Sequence, residues 1–455
     1  MTTTTDAISR FIAGASTASF GDEIRELARR HVLDTLASIV ACRDLEPAEV
    51  ARRYALANSA HPQGVSILGT TERVSLVDAV FASAMAGHGA EINDFMPSVF
   101  VQPGPAVVST TLCLAAVRGC TGDEAIRAVI AGYELAARVP RALGIRNLRR
   151  AGLANHGIGP VFGAAAAASS LTHLSPTQVG DVLSCCAQQA SGSWQWLLDV
   201  AHVEKSLVFA GMGARNGIQA VLLVEAGYRG VPDSLDHPDG WWRAGPFGGG
   251  DADPGALTDD LESPAALHDA AYKRFPVGGP TQPAVQALLD LVDEVDPGDI
   301  ASVHIAMPGR ADAFRDAAMP ALNLRYLSAL ILTDRRLDFE SAQSLERMHH
   351  DAEVNARMGT VDVVHDPDQE TGTGRDRVES ARVTVTMRSG QPIERYVPHV
   401  RGFPSHPFDR AEVEAKARDL MVPHLGAVRV DEIVDACRQL DRLDRADLLV
   451  ELIAR

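Results

Sequence analysis

The chain has 455 residues, 46% hydrophobic and 22% charged, a balance that supports packed domains and excludes wholesale disorder. At roughly 150 residues per domain, two or three domains are expected. Its 42 cations against 59 carboxylates leave a net charge of −17, which repels phosphate backbones and anionic lipid and so argues against nucleic-acid and membrane partners.

No apolar run approaches the roughly 20 residues of a membrane span. The start, MTTTTDAISRFIAG, lacks a basic segment followed by an apolar block, so no secretory signal is expected. None of Cys42, Cys113, Cys120, Cys185, Cys186 and Cys437 sits in a CxxC pair. Reduced, buried thiols in a cytoplasmic protein are expected, with neither structural zinc nor an iron–sulfur cluster. Only three of the 42 cations are lysine, Lys205, Lys273 and Lys416, so 42 − 3 = 39 are arginine. A bias toward arginine explains the scarcity but not where the remaining lysines sit.

In chain order, helical spacing of Ile24, Leu27, Val32, Leu33 and Leu36 predicts a helix over 22–42. Val65–Leu68 reads as a short strand. Ser75 and Asp78 form a capping-box-like start for a helix over 75–87. Further helices are expected at 105–118, 123–139, 161–172, 176–189 and 206–227. The loop Gly245–Pro254 reads as a linker. Beyond it the texture changes. Strands are expected at 300–307, 361–364 and 381–387, with a hairpin through Ser389-Gly390 into 392–397. Helices at 281–294, 324–332 and 338–349 are interleaved with them, and three more at 409–420, 428–440 and 443–453 close the chain. The expected fold is mainly α. A large all-helical domain (1–266) carries a smaller α+β domain (267–399), and the C-terminal helices (400–455) return to the first domain.

Five segments carry candidate chemistry. His88, Glu91 and Asp94 end an apolar helix and enter a loop with Gln102 before Pro103-Gly104-Pro105. His156 lies in a glycine-rich stretch ahead of an alanine-rich helix, where a free N-terminus suits a carboxylate and an imidazole suits acid–base work. Lys205 opens an apolar helix rich in small residues. Lys273 and Arg274 sit between aromatics at the expected domain junction, followed by Gln282, and two adjacent cations there suit a polycarboxylate. Tyr326 opens a helix and can exchange a proton. His349-His350 reads as a helix C-terminal pair, and the stretch with Asp366, Asp368 and Glu370 as a polar loop.

Taken together, GHGAEINDF…QPGPAVVS, GPVFGAAAAAS, AGMGARNGIQAVLLVEAGYRG, YKRFPVGGPTQPAVQALL and NLRYLSALIL resemble the MmgE/PrpD family over nearly the whole chain. That family includes 2-methylcitrate dehydratase, cis-aconitate decarboxylase and iminodisuccinate epimerase. The resemblance implies a helical domain with an α+β lid, a homodimer, and chemistry on a small polycarboxylate with no metal or organic cofactor. It further implies a lyase, dehydratase or decarboxylase, working through an α-carbanion, with epimerisation as the alternative outcome and a non-catalytic binding protein as the third. Matched to family active-site positions are His156, Lys205, Lys273, Tyr326, Glu91 and Asp94 as catalytic groups. His88, Gln102, Arg274 and Gln282 would contact substrate. Glu91 stands where aspartate is usual, and Gln102 falls on a family histidine.

Overall fold

The computed structural model describes residues 3–240, 247, 249–371 and 378–454. Its first part runs α1 (Thr4–Ala15), α2 (Asp22–Cys42), α3 (Glu46–Ser59), the short pair β1 (Val65–Ser66) and β2 (Arg73–Val74), α4 (Leu76–Gly87), α5 (Pro103–Arg118), α6 (Gly122–Leu143), α7 (Ile145–Arg150), α8 (Asn155–Leu171) and α9 (Pro176–Gln189). Then α10 (Val203–Ser206) passes through a π-helical turn, Leu207–Gly211, into α11 (Met212–Glu225). Local signals set several starts. Ser75 accepts from the Asp78 N–H, and reciprocal capping boxes join Thr121 to Glu124 and Ser175 to Gln178.

α8 begins six residues before the expected start at 161, so the glycine-rich stretch around His156 is helix rather than loop. Pro160 lies inside it and removes one helical hydrogen bond. Burial outweighs that loss, because every residue from Asn155 to Leu171 is interior. The glycines serve close packing instead. A Cβ on Gly163 would lie 2.9 Å from the Ala136 Cβ of α6, and one on Gly217 would lie 2.7 Å from the Ala164 Cβ. The helices α6, α8 and α11 therefore meet nearly backbone to backbone.

The α+β part contains α12 (Gln282–Leu291), β3 (Ile300–Met307), α13 (Ala311–Arg315), α14 (Leu324–Asp334), α15 (Phe339–Gln343), α16 (Leu345–His350), α17 (Ala352–Met358), β4 (Val361–His365), β5 (Ala381–Met387) and β6 (Pro392–Val397). The sheet order is β4-β3-β5-β6. β3 pairs in parallel with β4, Val303 opposite Val361, and antiparallel with β5. The hairpin β5–β6 sets Val385 opposite Ile393, with Gly390 at φ +87° in its turn. Val303, Ile305, Val383 and Val385 face inward with α12 and α14 residues such as Leu288 and Leu327. The single helix expected over 338–349 is two, because Ser344 leaves helical geometry and caps α16. Of the expected linker, Gly245, Pro246 and Gly248 lie outside the described residues, and Pro254–Leu257 forms a 3₁₀ turn.

The chain ends in α18 (Arg410–Leu425), α19 (Ala427–Arg438) and α20 (Leu448–Ile453). Val413, Ala417 and Met421 of α18 join the same apolar core as Leu33 and Leu36 of α2, so these helices pack with the first part of the chain. The α+β part has a core of its own, and Phe95 from the first part inserts into it. The backbones of Phe95 and Ala271 exchange hydrogen bonds there. Among the described residues one helix, Val203–Glu225, is long and apolar enough to cross a membrane; most of it is buried inside the protein.

Gly217→Val should destabilise the fold by roughly 1–3 kcal/mol through overpacking of α11 on α8, measured as a lower urea midpoint at unchanged m value.

Candidate active site

α4 ends at Gly87, and the chain from His88 to Val99 then runs irregularly but entirely buried. Buried irregular backbone needs polar partners. Ser206 and Lys416 supply some of them, at the His88 and Ile92 carbonyls, and other side chains from distant segments converge on the Glu91 carboxylate. Lys273 Nζ donates to Glu91 Oε2 at 2.9 Å, Lys205 Nζ donates to Oε1, and His202 Nε2 lies 3.0 Å from the same oxygen. All four side chains are at most 7% exposed.

Local backbone features aim these groups. His202, ahead of α10, has φ +64°, a left-handed conformation that is uncommon outside glycine. The π-helical turn that follows is a feature often found at functional sites. Asp199 accepts the Lys205 backbone N–H at 2.8 Å, and Ser206 Oγ donates to the His88 carbonyl at 2.5 Å. Lys205 Nζ also lies 5.0 Å from the Trp196 ring and 5.1 Å from Phe209, close enough for cation–π attraction.

Burial raises the Glu91 carboxyl, but the ammonium groups of Lys205 and Lys273 and the His202 contact overcome it and hold the pKa well below the ordinary value. Burial lowers the Lys205 pKa, and Glu91 offsets only part of that. The directions differ because Glu91 draws on two cations, whereas Lys205 shares one carboxylate with Lys273. With both lysines charged the cluster holds +2 − 1 = +1. A buried surplus of that sign favours an anion beside it.

Neutral imidazoles flank the cluster. His88 is stacked on Phe209 at 4.9 Å between centroids, and His156 on the same ring at 4.1 Å. Burial, reinforced by Lys205, lowers the His156 pKa to about 3. Burial, then the His202 charge, drives His88 well below its ordinary value. His88 Nδ1 sits 2.7 Å from the Asn93 Oδ1, so it carries the proton and Nε2 is left bare. Among the described residues neither His88 Nε2 nor His156 Nδ1 has a hydrogen-bond partner. His88, Glu91 and His202 also bring possible metal-ligating atoms within 4.8 Å of one another, yet two ammonium groups on the same carboxylate favour an anion there over a cation.

Profiles of two family domains match this sequence: the MmgE/PrpD N-terminal domain over residues 6–252 and the MmgE/PrpD C-terminal domain over 275–440. The chain belongs to the MmgE/PrpD family. Members of this family are generally lyase-type enzymes. A search of curated proteins returns no match to this sequence. The C-terminal MmgE/PrpD profile spans α18 and α19, although these helices pack into the first core.

The remaining MmgE/PrpD-matched positions are placed differently. Asp94 belongs to an adjoining buried cluster, where it accepts from Tyr133 at 2.6 Å and lies 3.0 Å from His31 Nδ1. Tyr326 is in the α+β core, its hydroxyl donating to the Ser341 carbonyl at 2.6 Å, so it does not join the Glu91 cluster. Arg274 points outward to Gln286 rather than toward the lysines. Gln282 is fully spent on the 274–277 loop: its amide oxygen accepts two backbone N–H groups and its nitrogen donates to two carbonyls. Gln102 is buried ahead of α5, and among the described residues its Oε1 has no partner. A cavity of about 740 Å³, lined by Phe100, Arg146, Arg149, Asp251 and Glu379 among others, borders this loop but includes none of the Glu91 cluster.

Sequence reasoning missed His202 and Lys416. The first lies three residues before a lysine already singled out. The second, the last of the three lysines, donates to Asp34 Oδ1 at 2.6 Å and to the Ile92 carbonyl at 2.7 Å.

A buried imidazole held near pKa 3 binds no proton in the folded state, whereas the unfolded chain takes one up below 6.5. Stability should therefore fall on acidification. His156 alone should cost about 2 kcal/mol between pH 6.5 and about pH 5. Urea unfolding at the two pH values should show His156→Gln losing less than wild type by about that amount.

Proposed function

We propose that this protein is a cofactor-independent lyase acting on a small di- or tricarboxylate through an α-carbanion, with dehydration as the best-supported outcome. The observation that carries the reading is the buried surplus of positive charge where Lys205 and Lys273 share Glu91. Membership of a lyase-type family agrees with it. The six cysteines are all free and buried, which suits a cytoplasmic setting, and a homodimer is part of the same proposal.

A substrate carboxylate would take up the spare positive charge beside the two ammonium groups. His156, unprotonated and with Nδ1 free, removes the proton from the carbon next to that carboxylate. The electron pair of the broken C–H bond moves into the carboxylate to give an enediolate, which the ammonium groups stabilise as its charge grows. The pair then returns to form the alkene while the β-hydroxyl leaves, protonated to water. Lys205, whose proton is loosened by burial, supplies that proton.

A second reading, epimerisation, is favoured by two observations. Gln102 cannot act as an acid toward a leaving group. His156 also presents an unprotonated imidazole, and Lys205 an ammonium group, beside the same Phe209 ring, so that the first can take the proton from one face of a carbon while the second delivers one to the other face.

A panel of hydroxy di- and tricarboxylates incubated in D₂O separates the readings. Dehydration gives near-ultraviolet alkene absorbance. Epimerisation gives deuterium at the α-carbon with inversion and no alkene. Lys273→Met should lower kcat/KM by at least about a hundredfold in either case, by analogy with removing one charge-stabilising donor. Wild-type protein that neither turns over nor exchanges any member of the panel would leave only the binding-protein reading.

A further inference from the structure

The two polar clusters meet at Ile92. Glu91 faces Lys205 and Lys273, while Asp94, three residues on, is fixed by Tyr133 and by the Gly104 N–H at 3.2 Å. Between them the Ile92 carbonyl accepts from Lys416, and no other donor among the described residues reaches it. Lys416 comes from α18, more than 300 residues along the chain. Its side chain is 9% exposed and its second acceptor, Asp34 of α2, is 1% exposed. All three lysines of a chain otherwise supplied with arginine thus end on the segment 91–92.

Geometry favours an ammonium group here. Lys416 must serve a carboxylate on one helix and a carbonyl on a loop from a single nitrogen, which a compact head with three rotatable donors allows. Asp34 is placed by its own helix and needs no tether. Ile92 lies in irregular backbone, where the carbonyl contact limits how far residue 91 can move.

We propose that Lys416 is a positioning residue: by joining the Ile92 carbonyl to Asp34 it holds Glu91 between Lys205 and Lys273, so that the C-terminal helix α18 sets the geometry of the reaction centre. This deepens the reading of the Glu91 cluster as the active site and rests on it only for its catalytic consequence.

The scarcity of lysine supplies the test. Lysine labelled with ¹³C at Cε should give three signals in the full-length protein, assigned by single substitutions. In Lys416→Met/Asp34→Asn, where no buried carboxylate is stranded, the Lys205 and Lys273 signals should both move, and their pH titrations with them. Where turnover is present, the double variant should lose roughly tenfold to a hundredfold in kcat with little change in KM, the size expected for a misplaced catalytic group. Wild-type Lys205 and Lys273 signals in the folded double variant overturn the proposal. If the double variant does not fold, Lys416→Met decides alone: displaced Lys205 and Lys273 signals support the tether and unmoved signals overturn it. The signals need no turnover, so an inactive wild type sinks the lyase reading and leaves this result standing.

Discussion

A carboxylate shut away from water and shared by two ammonium groups is the constraint from which the rest of the site follows. Removing any of these ions from water costs several kcal/mol, and only close, well-aimed partners offset it. Glu91 gets those partners from both sides, Lys205 on one oxygen and Lys273 on the other. Every nearby oddity of backbone serves that arrangement. The helix α4 stops at Gly87 so that the chain can turn inward. The left-handed His202 and the π-helical turn deliver an imidazole and an ammonium group from one short stretch. Strain of this kind persists only where surrounding contacts over-determine it, and here they do.

The site also depends on two cores meeting. Lys273 follows Ala271, whose backbone pairs with Phe95, and Phe95 is buried with the α+β core rather than with its own helices. The clustered groups therefore come from α10, from the segment at the junction and from the loop after α4. The C-terminal helices add a contribution through α18. No single part of the chain holds the cluster alone, which explains why the charged groups are so far apart in sequence and so close in space.

Much of the fold was legible in the sequence because its signals are local. Alternation over 381–387 and the Ser389-Gly390 turn place β5 and β6 correctly, and the helical spacing in 22–42 gives α2 from end to end. Local signals fail where burial decides, as at α8, where the glycines and Pro160 imitate a loop. The site was legible as segments but not as side-chain directions. Glu91 and Asp94 sit on one motif, yet an irregular turn sends them into different clusters. Tyr326 matches a family position in order along the chain, but its helix turns the hydroxyl toward Ser341. Arg274 and Lys273 are chain neighbours, yet the chain buries one side chain and exposes the other. His202 stayed hidden because nothing in the sequence signals a left-handed residue or a π-helical turn.

The charges also limit which chemistry the cluster can support. The +1 surplus suits one carboxylate, not two, unless Glu91 shifts or takes a proton when a polyanion arrives. Glu91 resists protonation because two cations hold it ionised. An incoming carboxylate must therefore compete with Glu91 for the same ammonium protons. Two consequences follow from the electrostatics. In the proposed mechanism, binding draws the Lys205 ammonium from Glu91 onto the substrate, which places its proton beside the leaving group. In the same proposal the negative substrate raises the proton affinity of His156, lifting it from an imidazole that holds no extra proton toward one that can accept it. In this arrangement substrate charge helps to set the acid and base apart, and the buried carboxylate keeps the resting site from discharging its own proton.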